Sequence, residues 1–130
     1  MVKADVRVIY GDTDKMGVVY YANYLRYFEI GRTEYLRASG ARYRDIEAKY
    51  QMLLPVVDAH VSYKSPGHYD DLLAVQTVIG RIGRASIRFE YSVLRDGTLL
   101  ATGHTVHACL GPEGTVMALP AEVVALLKRP

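Results

Sequence analysis

The chain contains no tryptophan, two phenylalanines and one cysteine in 130 residues. With Cys109 alone, an intrachain disulfide is excluded, and with it a disulfide-stapled secreted scaffold; a lone thiol fits a reducing cytoplasm. No apolar run approaches the roughly 18 residues of a membrane-spanning helix. The opening, MVKADVRVIY, lacks the apolar centre of an export signal. These absences predict a soluble, cytoplasmic protein without stable membrane insertion. Neither sign of charge dominates: 16 Lys and Arg against 14 Asp and Glu leave +2. That balance does not argue for a nucleic-acid partner, and it suits a small anionic ligand. Repeats, linkers and low-complexity tracts are also missing. The length allows one domain with a core and is too short for two, so a single domain over residues 1–130 is expected.

What the chain does have is tyrosine, eleven in all. Tyrosine tolerates a half-wet surface, which fits buried interfaces, a lined cleft, or ordinary core and sheet positions. Val2 to Tyr10 alternates, with Val6, Val8 and Tyr10 on one side and Asp5, Arg7 and Ile9 on the other, predicting a strand. Gly11 to Gly17 is turn chemistry. From about Ala22 to Ser39 the period becomes helical. Tyr21, Tyr24, Leu25, Phe28, Gly31, Tyr35 and Leu36 make the apolar stripe, and Arg26, Thr33 and Arg37 lie off it. Gly40 is placed as the C-cap.

Tyr43 to Tyr50 reads as a second, short helix. In PVVDAHVSYK, Val57, Ala59, Val61 and Tyr63 alternate with Asp58, His60, Ser62 and Lys64, a strand with one covered face. LLAVQTVIGRI and ASIRFEYSVLR follow, the latter turning Ile87, Phe89, Tyr91 and Val93 to one side. Asp96-Gly97 is a two-residue hairpin signal, and LLATGHTVHACL is the return strand. Pro120 to Lys128 predicts a C-terminal helix. The last three strands form an antiparallel meander, and one long apolar helix against one sheet face is an α+β arrangement. Its other face and its open edges need cover, which predicts an oligomer, at least a two-fold dimer.

Several chemistries can be weighed from residue types. Asp12 and Asp14 stand one residue apart where the first strand gives way to the long helix. A calcium loop would need ligands where Met16 and Asn23 stand. An Asx turn or helix cap is one role for either aspartate. The other is a carboxylate facing a cleft as base or nucleophile; being weak, it needs an activated substrate such as a thioester. His104 and His107 resemble a metal pair, but residues three apart on a strand face opposite sides. No zinc site and no other metal is expected. There is no nucleophile elbow around a serine, Cys109 sits in an apolar strand as an inert thiol, and no phosphate-binding glycine loop occurs. GRIGRAS, Gly80 to Ser86, is either a solvated turn or a phosphate contact, since guanidinium matches phosphate geometry.

Taken together, YGDTDKMGVVYYANYLRYFEIGRTEYLRASG, PGHYDDLLAV and GRASIRFEYSV resemble the hotdog-fold acyl-CoA thioesterases, nearest to the 4-hydroxybenzoyl-CoA thioesterase family and its YbgC-like branch. The specific part is Asp12 to Arg37. The resemblance implies an antiparallel sheet wrapped around one long central helix. It also implies dimers that extend the sheet, often paired into tetramers, and hydrolysis of acyl-CoA to free acid and CoA. No cofactor is implied beyond the CoA of the substrate. The family's catalytic carboxylate falls on Asp14, as general base or as nucleophile, with Asp12 structural. The backbone N–H that polarises the thioester carbonyl falls on Tyr21. CoA phosphates would meet Arg84, Arg81 and Ser86 at the subunit surface. Many YbgC-like members carry histidine where this chain has Tyr21; the backbone donor is the same, but any role of the imidazole is lost. Two rivals remain: a dehydratase on the same fold, which would want a histidine in the helix-start motif, and an acyl-CoA-binding or interaction module, which would not need Asp14.

Overall fold

A computed structural model describes Met1–Pro130. Strand β1 (Val2–Arg7) is followed by a 3-10 turn at Tyr10–Asp12 and by α1 (Asn23–Ala38). Then come α2 (Tyr43–Tyr50), β2 (Val56–Tyr63), β3 (Leu72–Ile82), β4 (Ser86–Arg95), β5 (Thr98–Ala108) and α3 (Ala121–Leu127). The strands form one antiparallel sheet in the order β1-β3-β4-β5-β2, with the expected β3-β4-β5 meander at its centre. Asp96 and Gly97 close the β4–β5 hairpin with φ of 49° and 80°, the left-handed pair that a two-residue loop requires. Along β4, Ile87, Phe89, Tyr91 and Val93 are all buried, so the period-two pattern sets the inner face.

The long helix lies on that face. Tyr24, Tyr27, Phe28, Gly31, Tyr35 and Leu36 are its buried residues. Phe28 stacks on Tyr91 with ring centroids 4.3 Å apart. Two glycines permit the close approach. A Cβ on Gly31 would lie 2.5 Å from the Thr77 hydroxyl, and one on Gly103 would collide with the Phe28 ring and the His60 carbonyl. Gly40, at φ 94°, ends the helix.

Three expectations need correction. Tyr10 is exposed rather than inward, because β1 ends at Arg7 and the chain turns at Tyr10–Asp12 before its side chain can reach the core. In the helix stripe, Tyr21 and Leu25 are exposed and Tyr27 is buried instead. Tyr21 precedes the first helical turn, and the helix rolls to bring the Tyr27 hydroxyl onto Asp12. Finally, β2 has no fully covered face: Val56 through His60 are exposed, and the register slips between Val56 and Asp58. It is an outer strand of the sheet, as β1 is on the other side.

The two histidines of β5 face opposite sides. On the outer face His104 contacts Asp58 at 3.1 Å and Arg88 at 3.2 Å. His107 is buried. Its Nδ1 lies 2.9 Å from the Leu54 carbonyl and must donate to it. Nε2 is therefore an acceptor, taking the Thr105 hydroxyl at 2.9 Å, and Thr105 in turn accepts from Tyr91 at 2.6 Å. Burial first, and the nearby Arg32 charge in addition, hold the imidazole below its usual range despite the carbonyl contact. The sign follows directly: the unfolded chain binds a proton near pH 6.5 and the folded one does not. This contribution is complete above that pH and is lost as pH falls through the folded value. We expect the urea midpoint of the native protein to drop between pH 7.5 and 5.5. His107→Asn, which keeps a donor for Leu54, should be less stable at pH 7.5 and show a smaller drop. Equal drops in the two proteins would contradict this assignment.

Candidate active site

The segment between β1 and α1 is a small hairpin fixed by backbone bonds. Thr13 bridges Val19. The Asp14 N–H donates to the Val18 carbonyl, and the Gly17 N–H donates to the Asp14 carbonyl, both at 2.9 Å. Gly17 adopts φ 83°, which a residue with a Cβ would resist. Val19 N–H donates to the Gly67 carbonyl at 2.8 Å, tying the hairpin to the loop before β3. That loop is held in turn by Asp71, which accepts from Arg95 at 2.9 Å and from the His68 N–H at 2.8 Å.

The two aspartates have different surroundings. Asp12 is 3 % exposed. One oxygen accepts from Arg26 at 2.8 Å; the other accepts from the Tyr27 hydroxyl at 3.0 Å and the Ile9 N–H at 3.3 Å. Burial, and then the Asp12 carboxylate, push the Tyr27 phenol far above its usual range, so it stays a donor. Asp12 thus joins the turn to the helix, with both of its oxygens engaged by the protein. Its backbone carbonyl does the same work, accepting from Tyr20 N–H at 2.9 Å and Asn23 Nδ2 at 2.8 Å. Asp14 is half-buried. Its Oδ1 accepts the Met16 N–H at 2.9 Å, the Asx turn anticipated as one role for this residue. Its Oδ2 meets no protein donor. The turn therefore orients the carboxylate and leaves half of it free.

Asp14 and Tyr21 line one pocket of about 330 Å³, together with Met16, Val18, Tyr24, Tyr63 and Lys64. The start of α1 reaches this pocket uncapped. No side chain caps it, and no acidic residue lies in its first turn. The Tyr21 N–H has no acceptor in the chain, while its carbonyl accepts the Tyr63 hydroxyl at 2.9 Å. The Tyr21 ring is 61 % exposed and packs on Tyr20 and Tyr63. Free N–H groups at a helix start carry the positive end of the helix dipole. Asp14, with one unpartnered carboxylate oxygen, and Tyr21, with an unpaired N–H, thus line one partly apolar space. Tyrosine lines it, one of the uses that the eleven tyrosines suggested.

Arg81 and Arg84 lie elsewhere. They border a shallow groove of about 660 Å³ with Ile79, Leu119, Val124 and Lys128. This groove is at the far end of β3, which spans roughly 33 Å at 3.3 Å per residue. Within one chain the basic turn and Asp14 do not share a pocket. Ser86 is not among the residues lining the groove; its carbonyl accepts the Gly83 N–H at 2.8 Å and closes the turn. Sequence reasoning did not anticipate Tyr63, Lys64 or Ser65 in the Asp14 pocket, nor Lys128 beside Arg84. The end of β2, where Tyr63 meets Tyr21 and Tyr24, and the place of α3 beside the sheet end bring them there. No local pattern carries that information.

A family model for the thioesterase-like superfamily matches residues 8–127. The chain is 38% identical over 122 residues to the acyl-CoA thioesterase YbgC of Haemophilus influenzae, covering 92% of this chain and 89% of that protein. It superposes on a hypothetical protein of Aquifex aeolicus with a TM-score of 0.93 at 30% identity, over 98% of this chain and 100% of that one. With a 1,4-dihydroxy-2-naphthoyl-CoA thioesterase from Synechocystis the TM-score is 0.89 at 25% identity, over 98% and 95%. With these matches spanning nearly its whole length, and with its five-stranded antiparallel sheet packed on one long helix, the chain belongs to the thioesterase-like superfamily and has the hotdog fold.

Proposed function

We propose that the chain hydrolyses acyl-CoA thioesters to free acid and CoA, with Asp14 and the Tyr21 N–H as the working groups. The observation that carries this reading is their shared pocket: a carboxylate with one free oxygen and a helix-start donor with no acceptor. The thioester carbonyl oxygen would accept from the Tyr21 N–H. One such donor stabilises an oxyanion by about 3 kcal/mol. Two routes use the same arrangement. As general base, Asp14 takes a proton from water as the water oxygen bonds to the carbonyl carbon; the C–S bond then breaks and the CoA thiolate leaves, taking up a proton. As nucleophile, Asp14 bonds to that carbon itself, expels the thiolate, and the resulting mixed anhydride is hydrolysed by water.

The acyl group of the substrate is aliphatic or aromatic. The similar proteins include one named for acyl-CoA in general and one named for 1,4-dihydroxy-2-naphthoyl-CoA. The exposed outer strand β2, with Val56 and Val57 uncovered, supports a dimer that continues the sheet, with further pairing to a homotetramer. Assembly would also let one chain's Arg84 turn serve a site on another chain, which the distance along β3 denies to a single chain. Arg84→Ala should raise KM for CoA esters several-fold and leave kcat and the hydrolysis of esters lacking the nucleotide nearly unchanged. An equal loss on both substrate types would remove Arg84 from phosphate binding. The reading as a whole is tested by thiol release from acetyl-, butyryl-, hexanoyl-, palmitoyl-, benzoyl- and 4-hydroxybenzoyl-CoA. A fast rate on one member supports it and names the acyl class. Binding of CoA esters without turnover on any would favour the non-hydrolytic acyl-CoA-binding module.

A further inference from the structure

A second cavity, of about 290 Å³, lies between α1, α2, α3 and the start of β2. A space of about 150 Å³ is enough to hold benzene. Its walls are mainly apolar, including Leu36, Ile46, Ile87, Phe89 and Leu127. It shares no lining residue with the Asp14 pocket. Arg32, in its wall, lies roughly 16 Å beyond Tyr21 along the helix, at 1.5 Å per residue.

Most polar groups around this cavity already have partners. The directed chain from Tyr91 through Thr105 to His107 ends on the Leu54 carbonyl. The Tyr43 hydroxyl accepts the Leu54 N–H at 2.9 Å. Glu29 is exposed at the rim. Arg32 differs. It is half-buried and has no carboxylate within 4.0 Å, whereas Arg26, Arg37, Arg88 and Arg95 each face one. Its charge opposes protonation of His107 and favours ionisation of Tyr43, and its charge together with a contact to the Tyr91 hydroxyl favours ionisation of Tyr91, in both phenols against the larger effect of burial. Thr33 and Tyr43 also line an adjoining cleft whose other residues are Arg37, Arg42 and Arg44. Arg37 and Arg44 are paired with Glu34 and Asp45, so Arg42 is the unpaired cation on this approach.

We propose that this cavity binds a small carboxylic acid with an apolar body, its carboxylate on the Arg32 guanidinium and its body among Ile46, Ile87 and Phe89. Guanidinium and carboxylate match in a bidentate pair. One cation balances one carboxylate, whereas a phosphate dianion buried there would keep uncompensated charge. The site does not depend on the thioesterase reading and needs no turnover to be tested.

The probes are octanoate and its neutral counterpart 1-octanol, titrated by calorimetry and by NMR against the native protein and Arg32→Gln. Native protein should bind octanoate saturably, Arg32→Gln at least about tenfold more weakly, and 1-octanol should not distinguish the two proteins. Shifted resonances should cluster at Ile46, Phe89 and His107. Arg32 is partly exposed, so the variant should fold; its thermal midpoint checks this. Equal octanoate affinity in both proteins, shifts clustered instead at Val19, Tyr24 and Tyr63, or no saturation up to the solubility limit would each overturn the proposal.

Discussion

Asp14→Asn should lower turnover by at least about 100-fold, the lower end of what a positioned acid–base group supplies, and leave the fold as it is. The amide keeps the shape of the side chain, and its oxygen can still accept the Met16 N–H that makes the Asx turn. The hairpin around it rests on backbone bonds from Thr13, Gly17 and Val19, which the substitution does not touch. What disappears is the carboxylate, with its unpartnered oxygen, in the pocket lining. An amide neither takes a proton from water nor forms an anhydride with an acyl group, so both proposed routes fail together. The helix-start donor remains, and with it a residual rate from oxyanion stabilisation alone. Substrate affinity should change little. The checks are kcat and KM beside the thermal midpoint.

Asp12→Ala should have the opposite signature, a loss of stability of about 1 to 3 kcal/mol. The substitution strands the buried Tyr27 hydroxyl, and a buried donor left without a partner costs about 1–3 kcal/mol; the Ile9 N–H, on an exposed residue, turns to water. The contribution of Arg26 is discounted, because its side chain is 58% exposed and returns to water. Tyr27 does not escape by ionising, since burial, the larger cause that keeps its phenol protonated, remains in the variant. Urea denaturation of the single variants and of the double variant with Tyr27→Phe measures the coupling directly. A double-mutant coupling near zero, or a stable Asp12→Ala, would contradict the account of this residue as the joint between turn and helix.

The two aspartates also show how far the sequence could be read. Local patterns were sufficient where the structure is local. The limits of α2, the αL ending at Gly40, the Asp96-Gly97 hairpin and the inward face of β4 all follow from spacing and turn chemistry within a few residues. The roll of α1 did not follow. Choosing Tyr27 over Leu25 for the core depends on a hydrogen bond to Asp12, outside the helix. The alternation in β2 suggested one covered face, yet this strand lies at the sheet's border and the chain's own elements leave it uncovered. For the site, the Asp12–Arg37 segment carried both the aspartates and the helix start, so the pairing of Asp14 with Tyr21 in one pocket could be expected from resemblance. The separation of Arg84 from that pocket could not, because it depends on the length and direction of β3.

The most direct test of the central claim is the rate of CoA thiol release from the best substrate in the panel, measured for native protein and Asp14→Asn at equal folded concentration. The account predicts a native rate that falls at least about 100-fold in the variant, with the thermal midpoint unchanged. A variant that turns over at near-native rate would contradict it, leaving Asp14 only the Asx turn it makes with Met16.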